Sequence, residues 1–154
     1  MNNGRIEQDG SPTDLYRKPA TSFVARFLGM DNLLEAQIIA TDPLRVNTAI
    51  GNFRIDNNVL ERNHTIYLLE KAYTLLIRPE AGQIVPPDSG GENVVDGRLQ
   101  AISFRGRFQI VSIAIPDTEI VFNFEMETAV SLPAVGGEIR IAINPEHIQL
   151  LTQS

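Results

Sequence analysis

The chain has 154 residues, 43% hydrophobic and 21% charged, with 13 basic against 19 acidic side chains and a net charge of −6. That makeup excludes a disordered segment, and no apolar run approaches the ~20 residues of a helical membrane span. The absence of cysteine excludes disulfides, thiolate zinc sites and cysteine nucleophiles, while the acidic balance argues against a protein that tracks nucleic-acid phosphates.

Residues 1–32 read differently from the rest. Met1-Asn2-Asn3-Gly4 lacks the basic-then-apolar layout of a signal peptide. Ser11-Pro12-Thr13-Asp14 is a helix start: Ser11 caps, Pro12 suits the first helical position, and Asp14 sits at capping-box spacing. Pro19 stops this helix. Thr21 or Ser22 then caps a second one, Phe23-Val24-Ala25-Arg26-Phe27-Leu28, ended by Gly29. Phe23 and Phe27 share a face, which predicts packing against the remainder of the chain rather than a ligand site.

From Leu33 the period changes to two, the period of a strand. Leu34, Ala36 and Ile38 alternate with Glu35 and Gln37. Leu44, Val46 and Thr48 run toward Gly51-Asn52, a predicted hairpin turn before Phe53 and Ile55. Tyr73, Leu75 and Ile77 form another alternating set, ended by Pro79. After the loop Val85-Pro86-Pro87-Asp88-Ser89-Gly90-Gly91, strands resume at Leu99 and Ala101. Phe104-Arg105-Gly106-Arg107-Phe108 predicts a turn with an aromatic on each side. Segments 110–115, 120–124 and 139–143 complete a series that predicts a barrel or sandwich.

An internal repeat organises these strands. Leu75-Leu76-Ile77-Arg78-Pro79-Glu80 matches Ile141-Ala142-Ile143-Asn144-Pro145-Glu146, and Leu33-Leu34-Glu35-Ala36-Gln37 resembles Val94-Val95-Asp96-Gly97-Arg98. The expected division is an adaptor over 1–32, one unit over 33–92 and a second over 93–154. Units of this size are small for independent stability, so they are expected to share a core or pack face to face.

Gly4-Arg5-Ile6-Glu7-Gln8-Asp9-Gly10-Ser11-Pro12-Thr13-Asp14-Leu15-Tyr16, Pro19, and Phe23-Val24-Ala25-Arg26-Phe27-Leu28-Gly29 with Asn32 resemble the ATP-binding subunits of ABC importers. The match falls where their nucleotide-binding domain ends and a C-terminal accessory region begins. Ile77-Arg78-Pro79-Glu80 and the second strand set resemble that region, a TOBE domain. The resemblance implies a mainly β fold of tandem OB-like small β-barrels preceded by a short helical adaptor. It also implies a homodimer that works with a nucleotide-binding domain and permease subunits, peripheral at the inner face of the plasma membrane without inserting into it. The solute implied is a polyamine, ferric iron, sulfate or a sugar.

No G-x-x-x-x-G-K-[ST], Leu-Ser-Gly-Gly-Gln or Asp-Glu-terminated apolar strand occurs. The chain therefore looks like the C-terminal piece of such a subunit, beginning at an internal Met and expected to show no ATP hydrolysis. ATP and magnesium are implied for the parent subunit, with no cofactor or metal in this chain. Molybdate-binding relatives of the domain carry a Ser-Ala-Arg-Asn-like motif where this chain has Gly29-Met30-Asp31-Asn32. An Asp there repels an anion, which disfavours an oxyanion sensor; the alternative reading is a free-standing small-ligand or oxyanion-sensing OB-like binding domain. A single-strand nucleic-acid module is disfavoured by charge.

The remaining chemistry is sparse. Without other His or Cys beside them, His64 and His147 make a poor metal pair, and no G-x-S-x-G elbow supports a serine nucleophile. Glu125 and Glu127 share a strand face as solvated carboxylates, and Ser89-Gly90-Gly91 lacks a following Lys or capped helix. Pro79-Glu80 and Pro145-Glu146 read as strand stops, since proline has no N–H for the next ladder bond. That leaves Arg78, Glu80, Arg105 and Arg107 as candidate interface or regulatory residues.

Overall fold

The computed structural model describes residues 31–41, 43–56 and 72–152, together with Arg26. Apart from Arg26, the expected adaptor helices, with Phe23, Phe27 and Leu28, lie outside these residues, as does His64.

Ten strands follow in order: β1 (Leu33–Thr41), β2 (Leu44–Thr48), β3 (Gly51–Ile55), β4 (Ala72–Ile77), β5 (Gly82–Val85), β6 (Val94–Arg105), β7 (Phe108–Ala114), β8 (Val121–Glu127), β9 (Glu138–Ile143) and β10 (Ile148–Thr152). Single 3-10 turns, Pro79–Ala81 and Pro145–His147, precede β5 and β10. Alternate side chains of a strand point to opposite faces. In β7 this buries Gln109, Val111 and Ile113, and in β9 it buries Ile139, Ile141 and Ile143. The protein is mainly β, with two sheets curled as half-barrels.

The strand orders are β10-β4-β1-β2-β3 and β5-β9-β6-β7-β8, antiparallel throughout. Each position in the first order is filled by the repeat counterpart of the same position in the second. Strand β5 follows β4 in the chain but pairs with β9, and β10 follows β9 but pairs with β4. The two halves thus exchange their last strands. One core results, joining Phe53, Leu75 and Ile77 of the first sheet to Phe122, Phe124, Ile141 and Ile143 of the second. Leu33, Leu76 and Leu151 form a smaller cluster on the other side of the first sheet.

The repeat extends to irregularities. A one-residue bulge falls between Ile38 and Ala40 in β1, and another between Leu99 and Ala101 in β6, at matching positions. One turn differs from expectation. Thr48 pairs with Gly51, so the β2–β3 turn is Ala49-Ile50, and Gly51-Asn52 already belongs to β3. The Thr48 hydroxyl fixes it there, donating to the Gly51 carbonyl at 2.8 Å and accepting from Ile50 N–H at 3.2 Å.

Candidate functional site

The two crossovers form one reciprocal junction. Arg78 N–H donates to the His147 carbonyl at 3.1 Å, and Asn144 N–H donates to the Ala81 carbonyl at 2.9 Å. These are the same bond made twice, once by each repeat. Pro79 and Pro145 sit at the start of the turns, where a missing N–H costs nothing. Asn144 also caps its turn by accepting from Glu146 N–H at 3.0 Å, whereas Arg78 provides no side-chain cap and is 6% exposed. Glu80 is exposed on the first turn.

Beside this junction lie two buried amides. Asn32 donates from Nδ2 to the Asn123 carbonyl at 2.8 Å and accepts from Asn123 N–H at 2.8 Å. Asn93 does the same for Arg54, donating to its carbonyl at 2.7 Å and accepting from its N–H at 2.6 Å. Each amide therefore clamps the free edge of the opposite sheet, β8 or β3, satisfying a peptide that has no neighbouring strand. Ile77 and Ile143 N–H groups donate to the Asn32 and Asn93 carbonyls, so the symmetry continues through the backbone.

The surroundings of the clamps differ. Arg45 and Arg54 stand opposite each other across β2–β3 and converge on Glu92, with Arg54 also bridging to Asp56 at 3.0 Å. The hydrogen bond to Asp56, then its charge, raises the Arg54 guanidinium above its usual value. At the other clamp, Asn123 donates to Asp31 at 3.2 Å and accepts from the Ser112 hydroxyl at 2.6 Å. With both polar atoms of the Asn32 amide committed to backbone, the group at the motif position holds the fold.

From the sequence, Asn32 is marked by the family resemblance and by its place in the anion motif, and Asn93 by neither. The repeat carried a signal for both: Asp31-Asn32 precedes β1 as Glu92-Asn93 precedes β6.

The third feature is the β6–β7 hairpin. Arg105 pairs with Phe108 around a Gly106-Arg107 turn, with Gly106 at φ 83, as a type II′ turn requires of its first residue. Arg105 and Arg107 are exposed, with Phe104 and Phe108 69% and 40% exposed beside them. Thr128 fastens the tip, its hydroxyl donating to the Gly106 carbonyl at 2.6 Å and its N–H to the Arg107 carbonyl at 3.0 Å. The four candidate residues thus divide into two groups on different elements, Arg78 with Glu80 and Arg105 with Arg107.

A half-open cleft of about 420 Å³ lies over β6 and β9, lined in part by Pro87, Asp96, Arg98, Pro116 and Arg140. Two of its charges pair with each other. Arg140 binds both Asp96 oxygens, at 2.6 and 3.0 Å, and the Ser89 carbonyl at 2.6 Å. That hydrogen bonding holds the Asp96 carboxyl below its ordinary value against the upward push of burial. The Gly90-Gly91 loop leads into β6 rather than a helix, so no helix N-terminus is presented to a phosphate. Among the described residues no group of three or more His, Asp or Glu side chains is placed to hold a metal ion, and no helix is long and apolar enough to cross a membrane.

A family model for the TOBE domain matches residues 75–151, half of the chain. The chain belongs to the TOBE domain family. The TOBE match runs from β4 through β10, so it spans both crossovers and the hairpin. Among curated relatives, the spermidine/putrescine import ATP-binding protein PotA of Onion yellows phytoplasma is 30% identical over 98% of this chain and 32% of its own length. PotA of Mycoplasma genitalium is 31% identical over 79% of this chain and 21% of its own. The Fe(3+) ions import ATP-binding protein FbpC of Streptomyces coelicolor is 32% identical over 69% and 26%. The chain thus spans about a fifth to a third of these relatives, matching their C-terminal region. Among solved structures, the molybdate-bound form of the cytoplasmic molybdate-binding protein ModG superposes with a TM-score of 0.62 at 9% identity, covering 79% of this chain and 95% of that one. That likeness establishes an OB-like fold.

Proposed function

We propose that the chain acts as the C-terminal regulatory and dimerisation domain of an ABC importer ATP-binding subunit. In this reading ATP and magnesium belong to a nucleotide-binding domain, whose hydrolysis is coupled to uptake of a small solute. The observation that carries the reading is the alignment with import ATP-binding proteins across nearly the whole chain. The relatives' names make polyamines and ferric iron the first solutes to consider. The partners are a second copy, the nucleotide-binding domain and the permease, which holds the domain at the inner face of the membrane. The units at 33–92 and 93–154 work as one body, because each supplies a strand to the other's sheet. Arg78 serves the junction between them, while Glu80, Arg105 and Arg107 are the surface residues available to a partner.

The test has two arms. The purified chain, given ATP and magnesium, is expected to release no phosphate above a buffer control; sustained turnover would overturn the assignment. Calorimetry against molybdate, sulfate, phosphate and spermidine is expected to show no saturable heat. Saturable binding accompanied by a raised melting temperature would favour a small-ligand or oxyanion sensor instead.

A further inference from the structure

The β6–β7 hairpin is where the two repeats part company. In the first unit β1 and β2 close directly, Thr41 pairing with Leu44 across two connecting residues. The corresponding pair in the second unit is Ile102 with Val111, and residues 103–110 extend beyond it. A fold made twice does not need this extension, because the first unit closes without it.

The register fixes what the extension displays. Gln109, Val111 and Ile113 of β7 face the core, so Phe108 and Ile110 face outward. Directly opposed residues share a face. Arg105 of β6 and Glu127 of β8 flank Phe108, while Ser103 and Glu125 flank Ile110. The outer face therefore carries three parallel stripes: a cation on β6, apolar side chains on β7 and two carboxylates on β8. Arg105 stands about 9.6 Å from Glu127, two strand spacings away, and neither has an ion-pair partner among the described residues. Thr128 secures the tip, so the stripes are presented on a fixed scaffold.

We propose that this face pairs with the same face of a second copy, about a two-fold axis running along β7. This rests on the dimerisation reading above and assigns its surface. A rotation about that axis exchanges the left and right stripes. It sets Arg105 of one copy against Glu127 of the other, twice, while Phe108 and Ile110 meet their own counterparts at the centre. An isologous contact must be self-complementary in this way. An axis running across the strands would instead lay each stripe on itself, carboxylates of β8 against carboxylates, whereas this one leaves Glu125 facing the neutral Ser103. Sheets packed face to face stand about 10 Å apart, room for phenylalanine and isoleucine side chains to interdigitate. The pairing also answers the net charge of −6, which opposes association everywhere the charges are not locally matched.

Sedimentation equilibrium on the full chain tests this with charge reversals. The unaltered protein is expected to dimerise, more weakly as salt rises. Arg105→Glu alone and Glu127→Arg alone should each weaken the dimer at least tenfold. The double variant, which restores opposite charges across the axis, should recover most of that loss, and the recovery also shows that the hairpin folds. Glu146→Arg makes the same charge change away from the face and should leave the dimer intact. A monomer at millimolar concentration overturns the proposal, as does a dimer indifferent to the single reversals or a double variant as weak as either single. A dimer that ignores these substitutions would leave the importer-domain reading in place and reject only this surface.

Discussion

Asn93 stands at φ 61 with both ends of its amide on the backbone of Arg54. Few side chains other than glycine tolerate that backbone region, and asparagine is one of them. The residue is 5% exposed, so its amide is shielded from solvent. Asn93→Ala removes two hydrogen bonds at once and leaves the N–H and carbonyl of half-buried Arg54 without a protein partner. The expected cost is about 2–3 kcal/mol, since a stranded buried polar group loses its full desolvation energy. Asn52→Ala is the contrasting change. Its side chain bonds to Asn47 at 2.7 Å on the exposed surface, and the expected change is within about 0.5 kcal/mol. Urea unfolding of both variants checks the difference, and equal midpoints would mean that the clamp is not stabilising.

Strand β5 is the element whose place was hardest to read. The sequence shows Gly82-Gln83-Ile84-Val85 after Pro79-Glu80, which suits an edge strand in either sheet. Nothing local distinguishes pairing with its own half from pairing with the sister half, because that choice depends on where the chain turns in space. The repeat of Leu75–Glu80 in Ile141–Glu146 was legible, and so were the strands themselves through their alternation. What a pattern of period two does not contain is the partner strand. The clamps were hidden for a related reason: Asn32 and Asn93 look like ordinary loop residues until the strand edge they serve is placed opposite them. The Gly51-Asn52 turn moved by two residues because a threonine hydroxyl outweighed a glycine as the local determinant.

The exchange also leaves a testable mark on β5. A Cβ added at Gly82 would lie 2.7 Å from a ring carbon of Phe124, itself fully buried on β8. Gly82→Ala should therefore push this strand off the second sheet's core and cost about 1–3 kcal/mol, the usual range for overpacking. The same substitution at exposed Gly90, where nothing lies within 4 Å, should cost much less. Similar thermal midpoints for the two variants would contradict this account of β5.

At the scale of the molecule, the sheets do not form two domains with an interface between them. Each ends on a strand donated by the other half, and Asn32 and Asn93 tie each sheet's free edge to the start of the other half's first strand. Opening either sheet must release β5 or β10 from its partner, expose Ile148 or Ile143, and break into the common core. Partial unfolding of one half alone thus loses most of the stabilisation of the whole, which predicts a single cooperative unit. Native-state hydrogen exchange reads this directly. The amides of Leu75 in β4 and Ile141 in β9, central strands of the two sheets, should share one opening free energy equal to that of global unfolding. Asn93→Ala should lower both equally, although Asn93 clamps only the edge of the first sheet. If Leu75 alone became less protected while Ile141 kept its original value, the halves would be independent, and the strand exchange would not couple them.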